Sequence, residues 1–238
     1  MKLRLLLSTI LLLGGARLGA AQDCGLYYDL RKGGTYELTT YDQRDQLTGR
    51  MTQEIRAAKT SGGKTTAVVH QQVFDKKNKP STAADYAVEC QAGVVRLDLR
   101  SLLNPQASPQ SPAANVDAQV TGDLLELPAH PKPGTALKDG TVTVAMRDKQ
   151  SGMAMSTTTI SVSNRQVVGS ETVKTPAGSF ACTKLTQDVL VKAGLGALAI
   201  PFNLRTVEWY APGVGCVRSE SYRKDKLVGY MLLTVVAK

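Results

Sequence analysis

The sequence predicts an all-β fold: about ten or eleven antiparallel strands in a strongly curved open sheet, a sandwich or a partly open barrel, with little helix. Three observations carry that prediction. Apolar residues recur with period two, as in Val95, Leu97 and Leu99 against Arg96, Asp98 and Arg100. The apolar runs are short, roughly 6 to 9 residues, and clusters of turn-forming residues separate them. No long amphipathic helical stretch interrupts the series.

At the amino terminus, Lys2 and Arg4 precede the apolar run LLLSTILLLGG and the small-residue segment ARLGAAQ. This is the layout of a secretory signal peptide over residues 1–21, with an apolar stretch too short to cross a bilayer. Residues 22–238 then read as a single mostly β envelope domain, exported to the periplasm or the extracellular space and at most peripheral to the outer membrane. Gln22 and Asp23, directly before Cys24, argue against a lipid anchor on that cysteine. Without residues 1–21 the chain has 26 basic against 20 acidic residues, a net +6 spread in pairs such as Lys76 with Lys77 and Arg223 with Lys224. No recognition helix, zinc-finger spacing or aromatic-basic motif points to nucleic acid, and no second apolar segment is long enough to span a membrane. Nothing in the sequence sets an oligomeric state.

The first third reads as a meander. YELTTYD (36–42), RMTQEIRAA, TTAVVHQQVF (65–74), DYAVEC (85–90) and VVRLDLRSLL alternate with hydrophilic turns. YDQRDQLTG (41–49), FDKKNKPST (74–82) and SYRKDKLVG (221–229) share a form in which an aromatic residue leads into a charged turn, either as related hairpins or as independent ones. RSLLNP has room for one helical turn. The Pro/Ser-rich stretch NPQASPQSPAAN near 104–115 reads as a loop able to serve as a flap. In TGDLLELPAHPKPGTAL a short strand precedes a connection whose Pro128, Pro131 and Pro133 are incompatible with a central ladder. Thr141, Thr143 and Thr157 to Thr159 favour extended backbone in TVTVAMRD (141–148) and MAMSTTTISVSNRQVVG (153–169). Four strands close the chain, in SFACTKLTQDVLVK, IPFNLRTVEWYA, CVRSESYRKD and LVGYMLLTVVA.

TPAGSFACTK, VEWYAPGVGCVRSESY and KLVGYMLLT resemble the carboxy-terminal half of the DUF3108-like, TapB-related family of exported bacterial proteins of unknown function, common in Bacteroidetes. YELTTYDQRDQLTGRMTQE and VFDKKNKPSTAADYAVEC fit the same family. The resemblance implies an all-β envelope domain and no established activity, so no residue inherits a catalytic role. Thr175, Pro176, Ala177 and Gly178 match its TPAG turn, and Trp209, Tyr210, Gly213 and Gly215 match its W-Y-A-x-G-x-G element. Pro176, Gly178, Gly213 and Gly215 read as structural turn residues.

In an exported chain Cys24, Cys90, Cys182 and Cys216 are disulfide candidates with three possible pairings. A simple meander would separate Cys182 from Cys216 by one strand, about 9.6 Å, beyond the roughly 7 Å limit of a disulfide. That pair therefore needs a corner or a crossed strand order; otherwise Cys24–Cys90, Cys24–Cys182 or Cys90–Cys182 competes. The wide cysteine spacing does not fit structural zinc, and neither a metal nor another cofactor is expected. His70 and His130, the two histidines, read as structural or surface residues, and no G-x-S-x-G elbow marks a nucleophile. Asp123, Glu126, Glu171, Glu208 and Glu220 are scattered carboxylates with salt-bridge explanations. GLGA at 194–197 lacks a phosphate-binding fingerprint. Catalytic residues are accordingly absent from the prediction, and an enzyme, with a hydrolase as the specific case, is the least favoured class.

What remains is binding. A sheet with one apolar face suits a hydrophobic or lipid-like small molecule or another envelope protein, with Trp209, Tyr210, Met153 and Met155 as the candidate ligand contacts and Met146 beside them. The alternative is a structural or protein–protein interaction domain with a filled core and an outer binding surface.

Overall fold

The computed structural model describes residues 30–103, 115–195 and 198–237. The predicted signal peptide, Cys24 and nearly all of the Pro/Ser-rich loop lie outside the described residues. Thirteen strands follow one another: β1 (Thr35–Asp42), β2 (Leu47–Ser61), β3 (Lys64–Asp75), β4 (Pro80–Gln91), β5 (Val94–Asp98), then the single-turn helix α1 (Arg100–Leu103), β6 (Val116–Gly122), β7 (Leu125–Pro128), β8 (Gly140–Asp148), β9 (Ala154–Thr175), β10 (Gly178–Leu195), β11 (Leu198–Ala211), β12 (Gly215–Arg223) and β13 (Lys226–Ala237). All thirteen belong to one sheet in the order β6-β8-β9-β10-β11-β12-β13-β1-β2-β3-β4-β5-β7, and every pairing is antiparallel.

This corrects the expected architecture. The strongly curved sheet, sandwich or partly open barrel of about ten or eleven strands is replaced by a single open sheet of thirteen, neither strongly curled nor closed. β7 is the short strand expected in TGDLLELP, whereas β6, which directly follows the Pro/Ser-rich stretch and alternates only weakly, has no counterpart among the expected strands. These two strands are the free edges, and no ladder joins them. Pro128 ends β7 without an N–H to donate, a residue suited to an edge and not to closing a barrel.

Period two places the core. In β1, Tyr36 and Leu38 are buried, and Ile55, Val69, Val88, Val95, Val217 and Leu233 lose nearly all exposure on successive strands. Val95 and Leu97 are buried as their alternation requires, and Leu99 packs against the same cluster. The connection from β7 to β8 lies against β9, through Gly134 N–H to Val167 O at 2.7 Å and Leu137 N–H to Arg165 O at 2.8 Å. It thereby pairs with the stretch of the β9 edge that β8 leaves open, through an antiparallel bridge of Ala136 with Gln166.

Two of the three charged turns are the same device. In the β1–β2 turn the Asp42 carboxylate accepts from Arg44 N–H (2.8 Å) and Gln46 N–H (3.0 Å), with Asp45 at φ 58°. In the β3–β4 turn Asp75 accepts from Lys77 N–H (2.8 Å) and Lys79 N–H (2.9 Å), with Asn78 at φ 62°. Each turn is clasped by the neighbouring strand. Tyr230 stacks on Tyr41 and donates to Asp45, while Arg50 lies over Phe74 and donates to Asn78. The β12–β13 turn is tighter, with Lys224 and Asp225 both at positive φ. Glycine precedes each clasping residue because the strands touch there: a Cβ on Gly49 would stand 2.5 Å from Phe74 O, and one on Gly229 2.8 Å from Tyr41 O. Gly49→Ala is expected to cost about 1–3 kcal/mol in urea unfolding, since backbone and not a flexible side chain must yield.

Candidate functional site

Five strands project beyond the core as a wing. The last β11–β12 pair is Arg205 with Tyr222, so Leu198 to Leu204 extends past the β12–β13 turn by about 20 Å. β10, the first half of β9, β8 and β6 run alongside it.

Register makes the wing two-faced, because residues paired across strands share a face. One row joins Val142, Ile160, Val191 and Phe202; the next joins Val120, Val144, Thr158, Ala193 and Ile200; a third joins Val162, Val189 and Leu204. The opposite face carries Thr141 and Ser161 (3.3 Å between hydroxyls), Thr143 and Thr159 (3.4 Å), and Lys192 and Asn203. Among the described residues, none of the apolar rows belongs to the core cluster. Val144 is buried, yet Ile200 is 79% and Phe202 39% exposed. Val142, Ile160, Val189, Val191 and Leu204 are half-buried, so the exposed part of this face centres on Ile200 and Phe202, an apolar patch of a kind that is often functional.

Between wing and core the same face turns polar. Arg165, almost fully buried, donates to Gln187 Oε1 (3.2 Å), to Glu126 O (3.1 Å) and to Lys138 O (2.5 Å). Gln187 donates to Glu208 Oε1 (3.2 Å), and Tyr210 donates to Glu208 Oε2 (2.7 Å). Burial pushes the Glu208 carboxyl up, against the smaller opposing effects of the Tyr210 hydrogen bond and the Arg165 charge. Thr206 Oγ1 is buried on this face with no hydrogen-bond partner among the described residues. On the opposite face, where Ser163, Asp188, Arg205 and Tyr222 form one row, a cavity of ≈ 440 Å³ is lined by these residues with Asn203, Lys224 and Asp225.

The four candidate ligand residues do not converge. Met153 and Met155 are exposed at the β8–β9 end of the wing, whereas Trp209 and Tyr210 are buried about 30 Å further along β11, counting from Ile200. Trp209 donates to Glu171 Oε1 at 2.6 Å, and Lys184 and Arg218 lie over its ring. The Trp209 hydrogen bond and then the Lys184 ion pair hold the Glu171 carboxyl below its ordinary range. Pro176 lies in the β9–β10 turn with Gly178 (φ 142°), where Ala177 N–H donates to Thr175 Oγ1; Gly213 and Gly215 take positive φ in the β11–β12 turn. The sequence reading overlooked the apolar rows and the Arg165 network. Alternation in TVTVAM, DVLV and AIPFNL signals the rows, but only register aligns them.

The other carboxylates are occupied by structural partners. Asp123 accepts from Thr141 N–H, Glu126 pairs with Arg96 at 3.1 Å, and Glu220 pairs with Arg218. Glu220 stands opposite Val207 and not opposite Glu208. His70 pairs with Asp85 at 2.6 Å on the sheet surface. Among the described residues no group of three His, Cys, Asp or Glu is placed to hold a metal, and no helix is long and apolar enough to cross a membrane.

Cys182 on β10 and Cys216 on β12 are separated by β11 and are free thiols. Burial pushes Cys182 up to about 11 and Cys216 well above the usual thiol range, the latter reinforced by the nearby Glu208 charge. Native alkylation of both at pH 8 is expected to run on the order of 100-fold slower than for a solvated cysteine, which timed mass spectrometry measures.

The fold and the site together define an all-β, single-sheet module with a two-faced wing and no assembled catalytic constellation among the described residues. A family model described as DUF3108-like matches residues 31–233, and the chain belongs to that family. A solved structure from Parabacteroides distasonis, assigned as a lipoprotein, is similar at 22% identity with a TM-score of 0.73, covering 91% of this chain and 100% of its own. An exported protein with a YmcC-like fold from Bacteroides fragilis is similar at 25% identity with a TM-score of 0.69, covering 90% and 100%. No curated protein matches the chain.

Proposed function

We propose that this chain is an exported, non-catalytic binding module of the cell envelope that takes a lipid-like hydrophobic ligand against the apolar face of its wing. The observation that carries this reading is the set of apolar rows through Ile160, Val191 and Phe202 lying outside the core. Export rests on the signal-like residues 1–21 and on the assignments given to the two similar proteins. Residues 22–238 then form one domain in the periplasm or outside the cell. With Cys182 and Cys216 free, Cys24 and Cys90 are the remaining pair, and a disulfide between them suits that compartment.

Native mass spectrometry of protein purified from its own host tests the reading. The expected result is an extra mass of lipid size that leaves on denaturation and is missing from Val191→Asp. Bare wild-type protein would overturn it in favour of a structural or interaction domain. Thiol counting on the same sample is expected to find two alkylated cysteines after denaturation and four only after reduction; four without reduction would exclude the disulfide.

A further inference from the structure

The turns beside the wing are basic, and their cations are unspent. Arg44 on the β1–β2 turn and Arg223, Lys224 and Lys226 at the β12–β13 turn are exposed, and none forms an ion pair among the described residues. On the strands Arg50, Arg56, Lys64, Arg96, Lys184 and Arg218 each face a carboxylate, while strand cations without an ion pair among the described residues, such as Lys59, Lys174 and Lys192, stand apart from one another instead of clustering at one end. The antiparallel register puts both turns at the end of the sheet from which the wing projects, since Asp42 pairs with Gly229 and Arg205 with Tyr222. Contact joins the two features directly: the Arg223 guanidinium lies 5.1 Å from the Phe202 ring centroid.

The acidic groups at these turns are partly engaged. Asp42 is held by two backbone N–H groups and Asp45 by Tyr230 O–H, leaving Asp225 as the exposed carboxylate among the four cations. The apolar rows themselves contain no charged residue. Four strands at the usual spacing, over the projecting length, give an apolar face of about 400 Å².

We propose that the wing docks on an anionic lipid bilayer, with Ile200 and Phe202 entering the acyl boundary while Arg44, Arg223, Lys224 and Lys226 meet the phosphates. This rests on reading the wing's apolar face as a lipid-contact surface, and it names the partner. A second copy of the chain is a poorer occupant, because pairing two such faces would bring the same cationic turns together. An anionic leaflet satisfies both halves of the surface: apolar area enters the interface and clustered cations are drawn to the negative surface potential.

Co-sedimentation tests it with the full mature protein. The vesicles are phosphatidylcholine alone, or phosphatidylcholine with about one-third phosphatidylglycerol, at low and high salt. The expected result is binding to the anionic vesicles that weakens in salt. Ile200→Ser with Phe202→Ser should reduce the partition at least roughly tenfold, and Lys224→Glu with Lys226→Glu roughly fivefold or more per charge. Lys59→Glu with Lys174→Glu, on the sheet outside these turns, should leave binding close to wild type. Unchanged Trp209 emission and circular dichroism establish that each variant is folded. Binding that is equal on the two vesicle types, or that survives the Ile200 and Phe202 changes, overturns the proposal. So does a wild-type dimer by light scattering that Phe202→Ser converts to monomer. Vesicle binding absent while native spectra retain the lipid mass sinks the bilayer proposal alone; vesicle binding present without a retained mass sinks the bound-ligand reading alone.

Discussion

Trp209→Ala is expected to destabilise the protein by about 3–5 kcal/mol, the cost of removing a large buried aromatic side chain. Trp209 is one of the buried core residues, and its ring is the contact point of four strands: Glu171 of β9 accepts from its indole N–H, while Lys184 of β10 and Arg218 of β12 lie over the ring from either side of β11. Truncation therefore opens a cavity and also leaves Lys184 and Arg218 without the aromatic face. Trp209→Phe separates the contributions. Phenylalanine keeps most of the packing and loses the donor to Glu171, so its cost should be about 1 kcal/mol. Urea unfolding followed by circular dichroism measures both variants. In the wild type, Trp209 is the single tryptophan, and its emission supplies a second probe of the same transition. A Trp209→Ala variant within 1 kcal/mol of wild type, on the scale expected of surface changes, would remove Trp209 from the core and return it to the candidate ligand contacts.

The strands of the body were legible because each satisfies a local rule. Tyr36 and Leu38, Val95 and Leu97, and Ala67 and Val69 all follow the alternation of a sheet with one dry face. Turn chemistry was equally local. Asp42 and Asp75 each cap their own hairpin, so YDQRD and FDKKN looked alike because they fold alike, whereas SYRKD forms a different, tighter turn. Even the separation of Cys182 from Cys216 followed from strand spacing once a meander was assumed, and β11 does lie between them.

Global closure obeys no such local rule. Whether thirteen strands curl into a barrel depends on whether the edges pair, and those edges are the seven residues of β6 and the four of β7, the weakest strand signals in the chain. The candidate site was hidden for a related reason. Val142, Ile160, Val191 and Phe202 come from four separate segments, and each alone looks like an ordinary core position. Their common position outside the core cluster is a property of register: β9, β10 and β11 outrun their neighbours, which leaves Phe202 exposed and Val142, Ile160 and Val191 half-buried. Met153 and Met155, chosen as adaptable apolar side chains, stand exposed at the wing, while Trp209 and Tyr210, singled out by the W-Y-A-x-G-x-G element, are buried in the core.

Arg165→Ala should cost about 3–5 kcal/mol at neutral pH, the range for breaking a buried ionic network by deleting one partner. The guanidinium joins the β7 carbonyl of Glu126, the Lys138 carbonyl and Gln187, so its loss strands acceptors on three segments and removes the cation nearest the buried Glu208 carboxylate. The pH dependence identifies the network. Burial raises the Glu208 pKa above its ordinary 4.5, so the folded state binds that proton more tightly than the unfolded chain. The associated stability is complete below the unfolded pKa and is lost as pH rises through the folded one. Glu208→Gln cannot undergo this loss. The difference in unfolding free energy between Glu208→Gln and wild type should therefore be flat below about pH 4 and move in favour of the variant as pH rises toward neutrality. Arg165→Ala should show the complementary trend: without the nearby cation Glu208 holds its proton more strongly, so the deficit against wild type shrinks as pH falls. Parallel pH profiles for wild type and Glu208→Gln would mean that Glu208 is solvated, and that the polar belt between core and wing is a wet crevice instead of a buried seam.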